Sequence, residues 1–206
     1  TFGALTLNGN RLTLGTGSAG LTLPNTLAMD TAGSVIETRG SNLTLADALQ
    51  LNFGSITSTG GTLSFAGGLT LAPYGSIDVT DSTLSVSQVL DLSFGTFTGS
   101  TSSVLDLQAA TTLFSSDEGV LFGSLTTNGN VLTLGSVSTH LKLNDPLSLD
   151  GIALETGAGS LTLLDTLSLS NSAALNSTGG TIFLGSGASV PSGTSISLPD
   201  TTLVLE

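Results

Sequence analysis

The chain has 206 residues, a formal net charge of −12 and no cysteine. Its hydrophobic content of 39% is enough for a buried core, which excludes a disordered chain. Three Lys and Arg against fifteen Asp and Glu argue against nucleic acid and anionic membrane surfaces as partners, because both require clustered cations. Because the chain has no cysteine, disulfide bonds and thiolate metal sites are excluded. No apolar run approaches the roughly 20 residues of a membrane helix, so membrane insertion is not expected.

Apolar and hydroxyl residues alternate along almost the whole chain, which is the period of half-buried β-strands. In chain order, the first predicted strand centres are Leu5, Leu12, Leu21, Leu27, Val35, Leu43, Leu49, Ile56, Leu63, Leu69, Ile77, Leu84 and Leu90. Segments 132–134, 161–163 and 167–169 continue the pattern. No segment has a convincing helical period.

Small residues that tolerate the positive φ of sharp corners stand between the predicted strands. The predicted corner residues are Asn8, Gly9, Asn10, Gly60, Gly61, Asn128, Gly129, Asn130, Gly179 and Gly180. The strand centres recur every six to nine residues, so three strands make a rung of roughly 20 residues. A β-sandwich would have fewer strands, of about five to six residues, with longer connections. The sequence therefore predicts that residues 1–206 form one continuous all-β, single-stranded β-solenoid.

A long internal repeat runs through the chain. The phrase FGALTLNGNRLTLG, from Phe2 to Gly15, recurs as FGSLTTNGNVLTLG from Phe122 to Gly135, an offset of 122 minus 2, or 120. The offset stays between 118 and 120 as far as Leu203. The chain thus contains one complete unit, 1–120, and a partial second unit, 121–206, and each unit should hold about six rungs.

The repeat keeps inward Leu and Ile, corner residues and a few acids, but it does not keep the cations. Arg11, Arg39 and Lys142 align with Val131, Gly157 and Thr22 in the other copy. A repeated chemical site would keep its charged residues. The repeat therefore indicates that the structural scaffold is duplicated and not a chemical site.

Two pairs of acids are candidates for polysaccharide cleavage, namely Asp78 with Asp81 and Asp117 with Glu118. That chemistry needs carboxyl groups at a set separation across a groove, with cationic or aromatic substrate contacts. Of these four acids only Asp81 has a matching acid, Asp200, in the second copy, and aromatic residues make up 4% of the chain. The acids are therefore predicted to be solvated turn residues, and no catalytic residue is assigned.

Calcium is the one cofactor that the acids suggest as an alternative to having none, because secreted repeats bind it through Asp side chains and turn carbonyls. Asp30 with Asp150, and Asp47 with Asp165, recur in both copies. The GGxGxD spacing of the nonapeptide calcium solenoid does not occur, so no cofactor and no metal site is predicted. The single histidine, His140, aligns with Gly20 and is predicted to lie in a surface loop.

Three stretches, LTLNGNRLTLG, STGGTLSFAGGLTL and LTLLDTLSLSNSAALNSTGGT, resemble the Gly/Thr/Leu repeats of autotransporter passengers and filamentous-haemagglutinin-like adhesins of Gram-negative bacteria. The resemblance covers nearly the whole chain. It implies a right-handed parallel β-helix, secretion, and an adhesive or scaffolding role on the bacterial cell surface or in extracellular fibres. The unit of about 120 residues departs from the single-rung repeats of that family.

The sequence favours a non-enzymatic, exported rod that stacks end to end on other copies of itself by β-strand addition. A solenoid normally protects its terminal rungs with a polar cap, and neither end of this sequence shows one. The predicted assembly interface consists of Leu5, Leu7, Thr201, Thr202, Leu203, Val204 and Leu205.

Two other functions compete with this one. In the first, the chain is a stalk segment of a long covalent adhesin that reaches host or neighbouring-cell surfaces. In the second, it is a glycan-binding or polysaccharide-active β-helix, which requires a groove lined by acids and aromatic residues.

Overall fold

The computed structural model describes residues 3–17, 20–116 and 118–205, and these ranges contain strands and turns but no helix. Phe2 and Asp117, which were named above from the sequence, lie outside the described residues. The strands, in chain order, are β1 (Leu5–Thr6), β2 (Arg11–Leu14), β3 (Leu21–Leu23), β4 (Leu27–Ala28), β5 (Val35–Arg39), β6 (Leu43–Leu45), β7 (Leu49–Thr59), β8 (Thr62–Phe65), β9 (Leu69–Thr80), β10 (Thr83–Leu92), β11 (Thr96–Gly99), β12 (Val104–Ser115), β13 (Val120–Phe122), β14 (Ser124–Thr126), β15 (Leu132–Leu134), β16 (His140–Leu143), β17 (Leu147–Asp150), β18 (Ala153–Gly157), β19 (Ser160–Leu163), β20 (Leu167–Ser170), β21 (Ala174–Ser177), β22 (Thr181–Leu184), β23 (Ala188–Ser189), β24 (Ser195–Ser197) and β25 (Thr202–Leu205).

Each strand pairs in parallel with the strand one turn earlier or later in the chain. Leu12 pairs with Ile36, Ile36 with Ile56, and Ile56 with Ile77, so each partner lies one rung further along the sequence. The chain therefore winds as a β-solenoid of about nine turns. This confirms the predicted fold, with three strand segments in each rung.

The strand segments form three faces, which we name A, B and C in the order in which the chain visits them from β2 onwards. Face A contains β2, β5, the ends of β7 and β9, β11, β13, β16, β19, β22 and β25. Face B contains β3, β6, β8, the starts of β10 and β12, β14, β17, β20 and β23. Face C contains β1, β4, the starts of β7 and β9, the ends of β10 and β12, β15, β18, β21 and β24.

The core is made of columns of apolar side chains that stack along the rod axis. On face B, Leu43, Leu63, Leu84 and Leu105 follow one another in register and all are fully buried. The alternating LTL pattern places the leucines inside and leaves the threonines between them on the outer surface. Burial of each such leucine stabilises the fold by roughly 1.5 to 3 kcal/mol.

Four strands are longer than the sequence predicted. β7, β9, β10 and β12 contain 11, 12, 10 and 12 residues, and each continues across a corner onto the next face. The pairing register shifts between Leu51 and Phe53 in β7, and between Val86 and Gln88 in β10. These irregularities bend the strand without ending it, as a β-bulge does.

The long sequence repeat does not span a whole number of turns. It covers β1 to β13, which are thirteen strands, and the four that cross a corner count twice, so 13 + 4 gives 17 segments. At three segments per turn this is five and two-thirds turns instead of the six predicted. Because 17 is not a multiple of three, the second copy is displaced by one face. Leu12 pairs with Ile36 on face A, whereas their counterparts Leu132 and Leu154 pair on face C.

One predicted corner shows why glycine is required there. Gly61 has a φ of +87°, and a Cβ added to it would lie 2.6 Å from the carbonyl oxygen of Ser41, one turn earlier. Its counterpart Gly180 has a φ of +73° and the same conflict, at 2.3 Å, with the carbonyl oxygen of Gly159. Both the backbone conformation and the spacing between rungs therefore exclude a side chain.

We expect Gly61→Ala to destabilise the protein more than Gly187→Ala. Gly187 has a φ of +90° with no atom within 4 Å of an added Cβ, so its substitution adds only the conformational strain of about 1 to 2 kcal/mol. Gly61→Ala also pushes neighbouring rungs apart and should cost at least about 1 kcal/mol more. Chemical unfolding followed by circular dichroism measures the difference, and equal losses would contradict it.

Candidate functional site

The first turn has an incompletely covered apolar end. Leu5, Leu12, Leu14 and Leu21 line an apolar cavity of about 170 Å³. Leu5, Leu12 and Leu14 are only partly buried, whereas Ile36, which follows Leu12 in its column, is fully buried.

The last turn exposes inward positions in the same way. Leu203 and Leu205 are 44% and 64% exposed, although Ile182 and Leu184, which precede them in their columns, are buried. The two ends of the described stack therefore both present apolar side chains of the core.

The other predicted interface residues have different surroundings. Leu7 is only 7% exposed and belongs to the core. Thr201 donates a hydrogen bond from its Oγ1 to Ser177 Oγ, at 2.9 Å, inside a corner. Thr202 lies exposed on β25, and Val204 is half-buried. The structure thus places Leu203 and Leu205, but not Leu7 or Thr201, at an exposed apolar end.

The predicted corner residues lie at turns. The backbone of Asn8, Gly9, Gly60, Gly61, Asn128, Gly129 and Gly180 has a positive φ, whereas that of Asn10, Asn130 and Gly179 does not. Asn10 donates from Nδ2 to the carbonyl oxygen of Leu7 at 3.1 Å, and Asn130 donates to that of Leu107, one turn earlier, at 3.2 Å. These side chains satisfy backbone groups of the corners, which is a structural role.

Several of the acids accept hydrogen bonds from their own turn or from the adjacent rung. Asp150 accepts hydrogen bonds from Ser170 Oγ at 2.8 Å and from Asn171 Nδ2, and Asp165 accepts one from the backbone of Thr166 at 2.7 Å. Asp81 has a φ of +51° and accepts a hydrogen bond from Ser102. Among the described residues, no group of three or more His, Cys, Asp or Glu side chains could hold a metal ion.

Two of the three basic residues are ion-paired on face A. Glu37 contacts Arg11 Nη1 at 2.5 Å and Arg39 Nη2 at 3.0 Å. Its counterpart in the second copy, Glu155, instead accepts a hydrogen bond from Asn176 Nδ2 at 2.7 Å. The acid is therefore repeated, while the group that pairs with it changes.

His140 lies in a strand, so its predicted position in a surface loop is wrong. It begins β16, its side chain is half-buried, and its Nε2 lies 2.9 Å from Thr162 Oγ1. Burial, together with the charge of Lys142 two residues further on, lowers the pKa of His140 below its usual value of 6.5.

An exposed aromatic cluster lies at the corner between faces C and A. The rings of Phe53 and Tyr74 stack with centroids 5.3 Å apart and planes within 4°, and Tyr74 is still 72% exposed. Phe94 is 68% exposed, and the pairing of Ser76 with Thr96 places Phe94 one rung beyond Tyr74. The low aromatic content of the chain, 4%, did not predict this cluster. Its signal was an aromatic-Gly dipeptide that recurs once in each of three successive rungs, as Phe53-Gly54, Tyr74-Gly75 and Phe94-Gly95.

A polar cleft continues the same corner. Its volume is about 390 Å³, and it is lined by Ser93, Ser115, Ser116, Ser136 and Ser138. Ser93 adjoins Phe94 in the chain, so the cleft begins where the aromatic cluster ends.

Comparisons of the chain with protein families, with curated proteins and with solved structures find no match. In the described part of the chain no helix is long and apolar enough to span a membrane.

We expect the stability of the protein to fall at acid pH partly through His140. Above pH 6.5 the residue is neutral in both the folded and the unfolded chain. Below that pH the unfolded chain takes up a proton that the folded chain resists, so the free energy of unfolding decreases until the lowered folded pKa is passed. The unfolding midpoint should therefore decrease more between about pH 7.5 and about pH 5.5 in the wild type than in His140→Gln. Equal losses in the two proteins would contradict the prediction.

Proposed function

We propose that this chain is an exported, non-enzymatic structural rod whose copies stack end to end into an extracellular filament. The observation that carries the proposal is the exposure of Leu203 and Leu205, in columns that are otherwise buried along the second copy. The apolar cavity of the first turn offers a complementary surface. Covering both ends removes apolar surface from water, which is the main driving force of such association.

The backbone supports the same association. Among the described strands, β25 pairs only with β22, and β3 pairs only with β6, so each has one edge without a strand beside it. All pairing in the solenoid is parallel, so a joint between the two ends is head to tail. A head-to-tail contact that does not close into a ring extends without limit, as in a fibre.

The winding of the chain determines the rotation at the joint. β25 lies on face A, and the next segment of an uninterrupted winding belongs on face B. The first segment of the following copy, β1, therefore lies on β23, β2 lies on β24 and β3 lies on β25. The inward columns then align Leu21 with Leu203 and Leu23 with Leu205, and Thr22 lies beside Val204 on the outer surface. Stacking without this rotation would leave a gap of one segment.

A disulfide experiment tests both the joint and its rotation, because the chain has no cysteine of its own. In the double variant Thr22→Cys, Val204→Cys, the proposed joint puts the Cα atoms of the two cysteines on adjacent strands about 4.8 Å apart. This separation is within the range of about 4.4 to 6.8 Å between Cα atoms that a disulfide spans. We expect mild oxidation to produce a ladder of covalent multimers on non-reducing gels.

The matched control is Thr13→Cys, Val204→Cys, because β2 of the following copy would lie on β25 if copies stacked without rotation. It should give no ladder, and a ladder from this pair instead of the first would disprove the rotation. Light scattering of the wild type, and of Leu203→Asp, tests the assembly itself. If the folded wild type stays monomeric at all concentrations and neither pair forms a ladder, the filament proposal fails.

The second candidate is a stalk segment of a long covalent adhesin on a bacterial surface. The exposed inward leucines favour it equally, because further rungs of the same polypeptide would cover them. The length of the complete reading frame that encodes this chain distinguishes the two functions. A long array of similar units favours the stalk, and a short secreted chain favours the self-assembling rod.

A further inference from the structure

The aromatic cluster and the serine cleft form one strip along the corner between faces C and A. We define the corner strip as Phe53, Tyr74, Phe94, Ser93, Ser115, Ser116, Ser136 and Ser138. It runs over five consecutive rungs, so its length is about 19 Å, four spacings of about 4.8 Å. Its direction is parallel to the rod axis.

Two rings of the strip are open to a ligand. One face of Tyr74 lies on Phe53, and yet Tyr74 is 72% exposed, so its other face is accessible. Among the described rings, none stacks on Phe94, which is 68% exposed. Exposed aromatic rings of this size are costly in water unless a partner covers them.

The cleft adds hydrogen-bonding groups beside the rings. Ser115 Oγ accepts a hydrogen bond from the backbone N–H of His140 at 3.0 Å, and Ser136 Oγ lies 3.0 Å from Thr139 Oγ1. Ser116 and Ser138 are exposed, and no hydrogen bond within the described chain engages their hydroxyl groups. A hydroxyl can both donate and accept, so these two can each bond a hydroxyl of a ligand.

The charge of the chain decides between the ligand classes that stack on aromatic rings. Nucleic-acid bases do so, but their phosphates need cations. Of the three basic residues, Arg11 and Arg39 are held by Glu37, and none belongs to the corner strip. An acidic polysaccharide would lack counter-charges for the same reason. A neutral sugar, with an apolar C–H face and a rim of hydroxyl groups, suits aromatic rings beside serines.

We propose that the corner strip binds a neutral polysaccharide chain laid along the rod axis, with sugar rings on Tyr74 and Phe94 and sugar hydroxyls in the serine cleft. The rungs repeat at intervals close to the length of one sugar unit, which suits a linear polymer. The second copy keeps the corners but not the rings: Asn171 and Ser172 stand at the corner equivalent to Phe53, and Gly193 replaces Tyr74. The strip is therefore an addition to the repeated scaffold.

Affinity electrophoresis tests the proposal with defined probes: gels containing soluble β-glucan, xyloglucan or α-mannan, and polygalacturonate as the anionic comparison. We expect at least one neutral polysaccharide to retard the wild type and polygalacturonate to have no effect. The double variant Tyr74→Ser, Phe94→Ser should bind about tenfold or more weakly, because it loses both stacking surfaces. The control Leu164→Ser replaces an apolar residue that is 40% exposed outside the strip, and it should bind as the wild type does.

Three results would overturn the proposal: no retardation by any neutral polysaccharide, retardation that survives in the double variant, or retardation by polygalacturonate alone. Sedimentation of the same proteins tests the alternative that a second copy of the chain, and not a sugar, binds to the corner strip. If the wild type associates sideways and the double variant does not, the strip is a contact between copies and not a sugar site. Both substituted rings are exposed, so circular dichroism should show unchanged folding. End-to-end stacking would affect the wild type and the double variant alike, because neither ring lies in the proposed joint, so the difference between the two proteins does not depend on it.

Discussion

Each turn of this solenoid obtains its backbone hydrogen bonds from the turns before and after it. The paired strands are one full rung apart in sequence, so no strand can form without the correct length of chain around the rung. The same register brings like side chains together: leucine lies on leucine inside, and Thr22 lies beside Thr44 outside. Core packing, hydroxyl rows and corner geometry all follow from this one alignment. A rung is therefore stable only as part of a stack.

Sequence patterns predicted the local features of the fold well. Every predicted strand centre from Leu5 to Leu90 lies in a strand, because the alternation of period two is a property of a few neighbouring residues. The sequence could not show which face each strand occupies, since that depends on the summed lengths of all preceding turns. The displacement of the second copy by one face was missed for this reason. His140 was placed wrongly because it has no histidine counterpart in the first copy and was therefore assigned to a surface loop. In the structure β16 begins one residue earlier than β3 does, so it includes His140.

The candidate sites show the same division between local and long-range information. The exposed leucines at the ends of the described stack were predictable, because the alternation places leucines inward and no described rung covers those of the outermost strands. The aromatic cluster was not, because its three rings are separated by about a rung in sequence and meet only through the register. The molecule thus separates two kinds of surface. The ends of the described stack expose apolar side chains of the core, while the described sides are rich in hydroxyl groups and carry an aromatic cluster at one corner.

The 17-segment unit has a geometric consequence for any rod made of complete units. Each successive unit is turned by 120°, so the assembly has an approximate threefold screw axis. After three units, or 51 segments, the chain has made 17 turns and advanced about 80 Å before a feature faces the same side again. A group placed on one corner of every unit then follows a spiral path along the rod. Such a rod touches a flat surface with the same group whichever side it lies on.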